Sequence, residues 1–544
     1  MSDDANTICR DLEDAVAKRA NWDSLWDEIA YRVLPSSVGF TVQTEEGQRR
    51  EDRAFDTTAI TACSRFAAFI SEGATPRDQT WHGLEPEDED LQDDQECKEF
   101  LERLTKALFA RRYRPEANFV SQRQENYLSL GAFGNYSLFI DEEIGRGNRY
   151  RALPMREVYW IENHQGVIYI QFRKYQLTAR QAYEQFRELA PPQVKYDAEK
   201  NPNALHDFIH CVRPNDELKP GRRDWRGMPW ASYHVYPRTK SVISRGGFWT
   251  WPFANGRFMK GVGETYARSP AVIAFPSILT VNEQKKTVLR AGQKAVDPPV
   301  LLTEDGILDG FNMRSGALNY GALSDQGTPL VQAFNSQARV DIGVELMELE
   351  QRAINEAFLV SLFQILAEKP DMTATEVLAR LEEKAQLLSP TTARLEAEDL
   401  GPMIAREIDL YVRSSEGAWV LEEMPEQLRE RGGAYQIVYR SPLARARRAA
   451  EALAITRTMD LAGAAAAIDP RAALVIDVEE SIRALADIHG MPTKLLRTRE
   501  QVEALMRQRE QVQALAAVAQ AAPNVARSAK DLAQAEQIRQ SIAA

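Results

Sequence analysis

The densest gathering of metal-ligating side chains is HDFIHC, which holds His206, His210 and Cys211. On a helix, ligands four residues apart share a face one turn apart and could hold one zinc ion. On a strand, residues four apart also share a side but stand about 13 Å apart. The flanking aromatics and the following VRP predict a strand or turn, so these three are expected to be packing or surface residues, and no metal is expected. GVGETYA, from Gly261, has the front half of a glycine fingerprint, but Tyr266 stands where the third glycine belongs. No stretch reads G-x-x-x-x-G-K-[ST], G-x-S-x-G or H-E-x-x-H, so neither catalysis nor a cofactor is expected. If the chain serves an ATP-driven process, the motor is another protein. Arginine groups at 49–53, 111–114 and 445–448 read as solvated faces or interface salt bridges, with phosphate contact as the other use.

The elements around these residues are mostly helical. Trp22, Trp26, Ile29 and Val33 recur at helical spacing before Pro35 stops the run, and Phe55, Ala59, Cys63, Phe66 and Ile70 mark a second face. A third helix is predicted over about 92–112, and YSLFI as a short strand. From about 150 to 250 the text is aromatic and β-branched, as in a β-rich portion. SILTVNEQKKTVLRAGQKAV is helical until Pro298 and Pro299, and the glycine-rich stretch after it carries short apolar runs that could pair as small strands. VDIGVELMELEQRAINEAFLVSLFQILAEK, 340–369, would make about 45 Å of helix if unbroken. MTATEVLARLEEKAQLLSP follows, with a capping box from Thr373 to Glu376 and Val377, Leu381, Ala385 and Leu388 on one face. A break is expected at Gly401-Pro402, a strand at AYQIVYRS, and alanine-rich helices from Pro442 onward.

The 544 residues exceed one ordinary core. With 44% hydrophobic and 27% charged residues, the chain reads as globular rather than disordered. The 67 basic and 79 acidic residues give a formal charge of -12, which does not attract nucleic acid by bulk charge but lets a polyanion pass without sticking. The acidic N-terminus is unlike a secretory signal, the longest apolar stretch is too short for a membrane span, and four scattered cysteines read as reduced thiols in a cytosolic compartment.

In order along the chain, WDSLWDEIAYRVLPS, FDTTAITACSRFAAFISEGATPRDQTWHGLEP, GAFGNYSLFIDE, GVGETYARSPA, KAVDPPVLL, MTATEVLARLEEKAQLLSP and YRSPLARARRAAE resemble the head-to-tail connector, or portal, proteins of short-tailed (podovirus, T7-like) bacteriophages. The resemblance implies an α+β portal fold assembled as a ring around a central channel, commonly of twelve copies. It implies a wing over 1–262, a first stem helix region over 263–296, a small α/β clip over 297–336 and a second stem helix over 337–369. A channel-loop region with a C-terminal wing helix and strand over 370–441 and a helical crown and tail over 442–544 complete the layout.

The implied function is a DNA channel at a unique capsid vertex, through which terminase packages DNA and from which DNA is ejected. Implied partners are double-stranded DNA passing nonspecifically, the terminase large subunit, tail adaptor or nozzle proteins, capsid and scaffolding proteins, and internal core proteins, with no membrane. The place implied is the virion portal vertex, after synthesis in the host cytoplasm. Another head-tail adaptor ring, or a soluble hydrolase, are the alternatives. From 297 to 335, Asp297, Glu304, Asp305, Asp309 and Asp325 against Arg314 give the clip a net charge of -4, suited to docking partners. Lys285, Lys286, Arg290 and Lys294 against Glu283 give +3, for DNA phosphates in the channel or, the favoured use, acids of a neighbouring subunit. Glu368, Lys369 and Asp371 are candidates for a channel loop.

Overall fold

The first helix, α1 (Ser2–Val33), begins upstream of the tryptophan pattern. Trp26, Ile29 and Val33 are buried on its core face, as their spacing requires. The computed structural model describes residues 2–302, 326–333, 340–360 and 391–513, with 312, 314, 316–319, 322 and 323. Within those spans, 43, 44, 46, 49, 51–53, 93, 144, 467, 468, 470, 472–474, 489, 490, 492–494, 498 and 500 are not described. The fold is α+β. It divides into two compact units, one of Met1–Gly83, Leu104–Met424 and Ile437–Ala449, the other of Leu84–Arg103, Pro425–Gln436 and Ala450–Ala544.

In the first unit α2 (Thr58–Ala74) buries Ala59, Cys63, Phe66 and Ile70 against α4 (Phe119–Phe133). α3 (Gln95–Arg112) lies close to its expected bounds. Two antiparallel sheets follow. β2 (Asn135–Glu143) pairs with β3 (Gly147–Leu153) and β9 (Phe253–Arg257). β4 (Val158–Glu162), β5 (Ile168–Thr178), β6 (Leu205–Pro214), β7 (Trp230–Tyr236) and β8 (Ser241–Phe248) form a five-stranded meander. Ile8 and Leu12 of α1 cover one face of that meander at Phe172, Ile209, Cys211 and Val235. On the other face, α5 (Ala179–Phe186) and α6 (Pro192–Lys200) cover Tyr175, Phe208 and Tyr236.

HDFIHC lies on β6, so His206 and His210 are strand residues with separate partners. His206 Nδ1 meets Tyr236 Oη at 3.1 Å and His210 Nε2 meets Ser232 Oγ at 2.9 Å. Cys211 points to the α1 face, where burial pushes its thiol up to about 12. All four cysteines are buried and free. No group of three or more His, Cys, Asp or Glu among the described residues could hold a metal. GVGETYA has strands before it, β9 and β10 (Met259–Lys260), but a turn follows rather than a helix. β11 (Ala267–Arg268) pairs back on β10, and Gly263 takes the positive φ of 79° that the turn requires. Tyr266 is core: its ring stacks on Trp160 at 5.4 Å.

α7 (Pro270–Ile273) leads into α8 (Phe275–Val296), about 33 Å long, and β12 (Val300–Leu302) pairs antiparallel with β13 (Val331–Ala333), the small-strand pairing anticipated for this stretch. α9 (Val340–Ala357) returns, but it does not run on unbroken. A turn at Phe358 and Leu359, the latter with φ of 60°, ends it at about 27 Å. In a continuous helix Phe358 and Val360 would point to opposite sides, whereas the turn buries both. The capping-box helix at Thr373 lies outside the described residues, as do Glu368, Lys369 and Asp371.

The irregularity expected at Gly401-Pro402 is a π-helical turn, Glu396–Leu400, leading into α10 (Gly401–Arg413). Pro402 lacks the amide that a regular ladder needs, and the wider turn accommodates it. AYQIVYRS supplies β14 (Tyr435–Tyr439), which pairs with β1 (His82–Pro86). α11 (Pro442–Ala466) and α12 (Val478–Ile488) are the alanine-rich helices. No helix among the described residues is long and apolar enough to cross a membrane.

Candidate functional site

α8 and α9 form an antiparallel pair whose seam is fixed at two levels. A Cβ on Gly343 would meet Val288 Cγ2 at 2.7 Å, so the helices approach closely there. Farther along the seam, at Lys285 and Gln351, both helices meet one carboxylate. Asp56 Oδ2 accepts from Lys285 Nζ at 3.2 Å and from Gln351 Nε2 at 2.9 Å, while Oδ1 accepts from Thr58 N at 2.8 Å. Asn282 Oδ1 completes the clamp by accepting from Phe55 N at 2.8 Å and Asp56 N at 3.1 Å. Burial alone would raise the Asp56 pKa, but the hydrogen bonds from Thr58, Lys285 and Gln351 outweigh it and hold it below the ordinary carboxylate value. Sequence reasoning missed this clamp. Asp-Thr-Thr at a helix start signals a cap, but nothing local points to Lys285 or Gln351, more than 200 residues away.

Outward from the clamp the pair leaves apolar side chains in solvent: Leu279 and Leu289 on α8, and Ile342, Val344, Leu346 and Leu349 on α9. Between 37% and 58% of each is exposed, a pattern expected of a surface awaiting a partner rather than of a monomer's outer face. Of the four basic candidates, Lys285 is engaged by Asp56, and Lys286 pairs with Glu283 at 3.5 Å and lies over the Phe55 ring. Arg290 and Lys294 are exposed with no ion pair among the described residues, and Asp297 is exposed just past the end of α8. Glu304, Asp305, Asp309 and Asp325 lie outside the described residues.

Two of the three arginines of RRYR depart from the surface reading, whereas Arg114 fits it, pairing with Glu416 at 2.8 Å with both side chains partly exposed. Arg111 and Arg112 are 1% and 0% exposed. Arg112 Nε donates to both oxygens of Glu407 at 3.1 Å, Nη2 reaches both Glu407 and His82, and its guanidinium lies 4.6 Å from the Trp81 and Phe109 rings. Tyr150 Oη donates to the same carboxylate at 2.7 Å. Burial and the neighbouring Arg112 and Arg440 cations push His82 well below its ordinary value, so it is neutral. The π turn serves a parallel pair. Asp399 accepts from Arg123 and from Tyr136 Oη at 2.7 Å, and Glu398 accepts from Arg257 Nε at 2.6 Å. These pairs fasten 396–407 to the α4 and β2–β3 layers. The Arg112–Glu407 and Arg123–Asp399 pairs are fully enclosed, while Glu398 of the Arg257 pair is partly exposed.

Comparison with known proteins bears on the whole chain. The family of the bacteriophage head to tail connecting protein matches residues 5–496. The probable portal protein of Bordetella phage BPP-1 is 25% identical over 500 residues, covering 89% of this chain and 87% of that protein. The portal protein of Salmonella phage epsilon15 is 24% identical over 507 residues, covering 92% and 90%. A chain from the neck of an empty GTA particle, computed with C6 symmetry, shares 13% identity with a TM-score of 0.36 and covers 83% of this chain and 96% of its own. With its family matched over nearly its full length, the chain belongs to the bacteriophage head to tail connecting proteins.

Proposed function

We propose that the chain is a portal subunit of a short-tailed phage that closes into a ring, with twelve copies as the working number, around a channel for double-stranded DNA at one capsid vertex. The observation that carries this is the α8–α9 pair. It is clamped at one end by Asp56, ends in the β12–β13 ribbon, and exposes apolar side chains that a single chain does not cover. In this reading α8 and α9 belong to the stem, the ribbon opens the clip over 297–336, α1 to β10 with α10 and β14 are the wing, and the helices from Pro442 are the crown. The ring has no catalytic activity of its own, and a separate terminase drives the DNA. Arg290 and Lys294 pair with acids of the adjacent subunit, DNA contacts are weak and read no base, and the acidic clip docks terminase and tail proteins.

Native mass spectrometry with negative-stain imaging tests the assembly: closed rings of about 0.7 MDa are expected for twelve copies of a 61.4 kDa chain. A stable monomer at micromolar concentration that also forms no ring on capsid assembly would refute it. Anisotropy titrations with unrelated duplexes at about 150 mM salt test the channel, where nanomolar sequence-selective binding would overturn the passive reading. Charge reversal at Glu304, Asp305 and Asp309 tests the clip, which has no docking role if partner binding and packaging are both unchanged.

A further inference from the structure

The meander face turned away from α1 is covered by α5 and α6 at one end only. Beyond them the β2–β3 pair faces it across a cavity of about 700 Å³. One row of directly paired meander residues enters this space, with Arg173 opposite His210 and His210 opposite His234. Phe139 and Arg151, themselves cross-strand partners, enter from the facing sheet. Gln171 ties the two sheets together, donating to Ser137 Oγ at 2.8 Å and accepting from Trp160 Nε1 at 3.1 Å and Asn255 Nδ2 at 3.0 Å.

Three arginines and three carboxylates line this cavity, but most of them find their partners outside it. Its three acidic side chains are committed elsewhere: Asp141 to Arg406 at 3.4 Å, Glu142 to Arg111 at 2.5 Å and Glu143 to Arg146 at 2.8 Å. Arg149 donates to Glu116 O at 2.8 Å, and Arg173 is held by Glu157 at 2.9 Å and lies over the Tyr175 ring. Among the described residues Arg151 has no hydrogen bond or ion pair; it lies 5.6 Å from the Phe139 ring, and Tyr175, Glu157 and Asp141 act on it electrostatically without bonding it. Its side chain is exposed to solvent through the open mouth of the cavity, and partial desolvation with the nearby Arg173 lowers its pKa to about 10. The His210 and His234 rings stack 4.4 Å apart. His210 bonds Ser232, and His234 Nδ1 faces Tyr175 Oη at 3.4 Å. Burial, then the neighbouring basic groups, hold both neutral, His234 down to about 4 and His210 well below its ordinary value. Like groups placed opposite one another weaken a sheet, and a solvent-exposed guanidinium with no ion pair among the described residues keeps its planar fork of donors available to an anion.

We propose that this cavity is an oxyanion-binding site, in which a phosphate or carboxylate group sits against the Arg151 guanidinium, with Arg173, Ser232 and the stacked His210 and His234 completing the cradle. The planar fork of an arginine matches either group bidentately. The Phe139 and Phe248 rings, which also line the cavity, receive the apolar part of the molecule that carries the anion. The site is independent of ring closure, since every group in it belongs to one chain.

Isothermal titration calorimetry of the full chain with inorganic phosphate, and separately with acetate, tests the site. Saturable binding of one anion per chain is expected, tightening from pH 7 to pH 5 with proton uptake, because a bound anion favours the charged histidine. Tighter phosphate binding would mark a phosphate ester as the natural ligand, tighter acetate binding a carboxylate. Arg151→Gln should weaken binding by roughly tenfold or more while Arg151→Lys keeps part of it. Should Arg151→Gln fail to fold, His234→Gln should keep binding at pH 7 and lose the proton uptake. The proposal is overturned by the absence of saturable binding for both anions, by wild-type affinity in Arg151→Gln, or by undiminished proton uptake in His234→Gln.

Discussion

Replacing Glu407 with Gln keeps the side-chain shape but removes the charge that Arg112 faces. Both groups are fully buried, and the guanidinium is otherwise surrounded by the Trp81, Phe109 and Phe119 rings and a neutral His82. Breaking one partner of such a pair leaves an uncompensated buried charge, at a cost of about 3–5 kcal/mol. The retained amide oxygen can still accept one bond, which places Glu407→Gln near the lower end of that range, about 3 kcal/mol. With a urea dependence of about 3 kcal/mol per molar, the unfolding transition of this unit should move down by about 1 M. Arg112→Met alone strands the carboxylate and should cost a similar amount, whereas the double variant should recover most of the loss, as buried ion pairs replaced by apolar residues commonly do. Tryptophan fluorescence in urea is a direct assay, since Trp81 lies 4.6 Å from the guanidinium and donates Nε1 to Tyr113 Oη at 3.2 Å. A Glu407→Gln midpoint within about 0.3 M of wild type, or a double variant no more stable than either single one, would refute the reasoning.

Asp56→Ala should loosen the α8–α9 pair and lower the yield of assembled rings, read by native mass spectrometry, with faster hydrogen exchange in both helices. Because the Asp56 pKa is depressed, its contribution is present above about pH 4 and is lost as pH falls through the folded value, so the wild-type advantage over Asp56→Asn should vanish in acid. His82, His210 and His234 are held neutral, so the unfolded chain binds more protons below about pH 6.5; stability should fall with acidification, each group adding up to about 1.4 kcal/mol per pH unit, checked by urea unfolding between pH 7.5 and 5. Gly343→Ala should cost about 1–3 kcal/mol, because Val288 is too stiff to yield the space its Cβ needs, and thermal unfolding of the assembled protein measures this.

Legibility in the sequence followed the range of the interactions. Trp26, Ile29 and Val33, or Cys63, Phe66 and Ile70, repeat with the helix period and so announce their buried face. The strand reading of HDFIHC rested on its neighbours and held, which separated the two histidines. The same local logic failed for Arg111 and Arg112, though not for the partly exposed Arg114, because a charged run reads as solvated unless its acids are known, and Glu407 lies 295 residues from Arg112. It also failed at Phe358 and Leu359, where tertiary packing against Phe66 overrides a long helical pattern. The apolar exposure of α8 and α9 was foreseeable from two long helices flanking a short tip, but the carboxylate that clamps them was not. The cavity arginine was not foreseeable either, since its isolation depends on which acids the fold assigns to other partners.

The buried ion pairs also impose an order in time. Arg112 and Arg123 precede their carboxylates by 295 and 276 residues, and an arginine without its acid cannot be enclosed at acceptable cost. At about 5–20 residues per second, a ribosome takes roughly 15–60 s to synthesise the intervening chain. Through that interval the α4 and β2–β3 layers must keep their guanidiniums in water, and so cannot close. Closure falls to the 396–407 segment, late in translation. A nascent chain therefore lacks closed α4 and β2–β3 layers until most of its length, including α8 and α9, has been made.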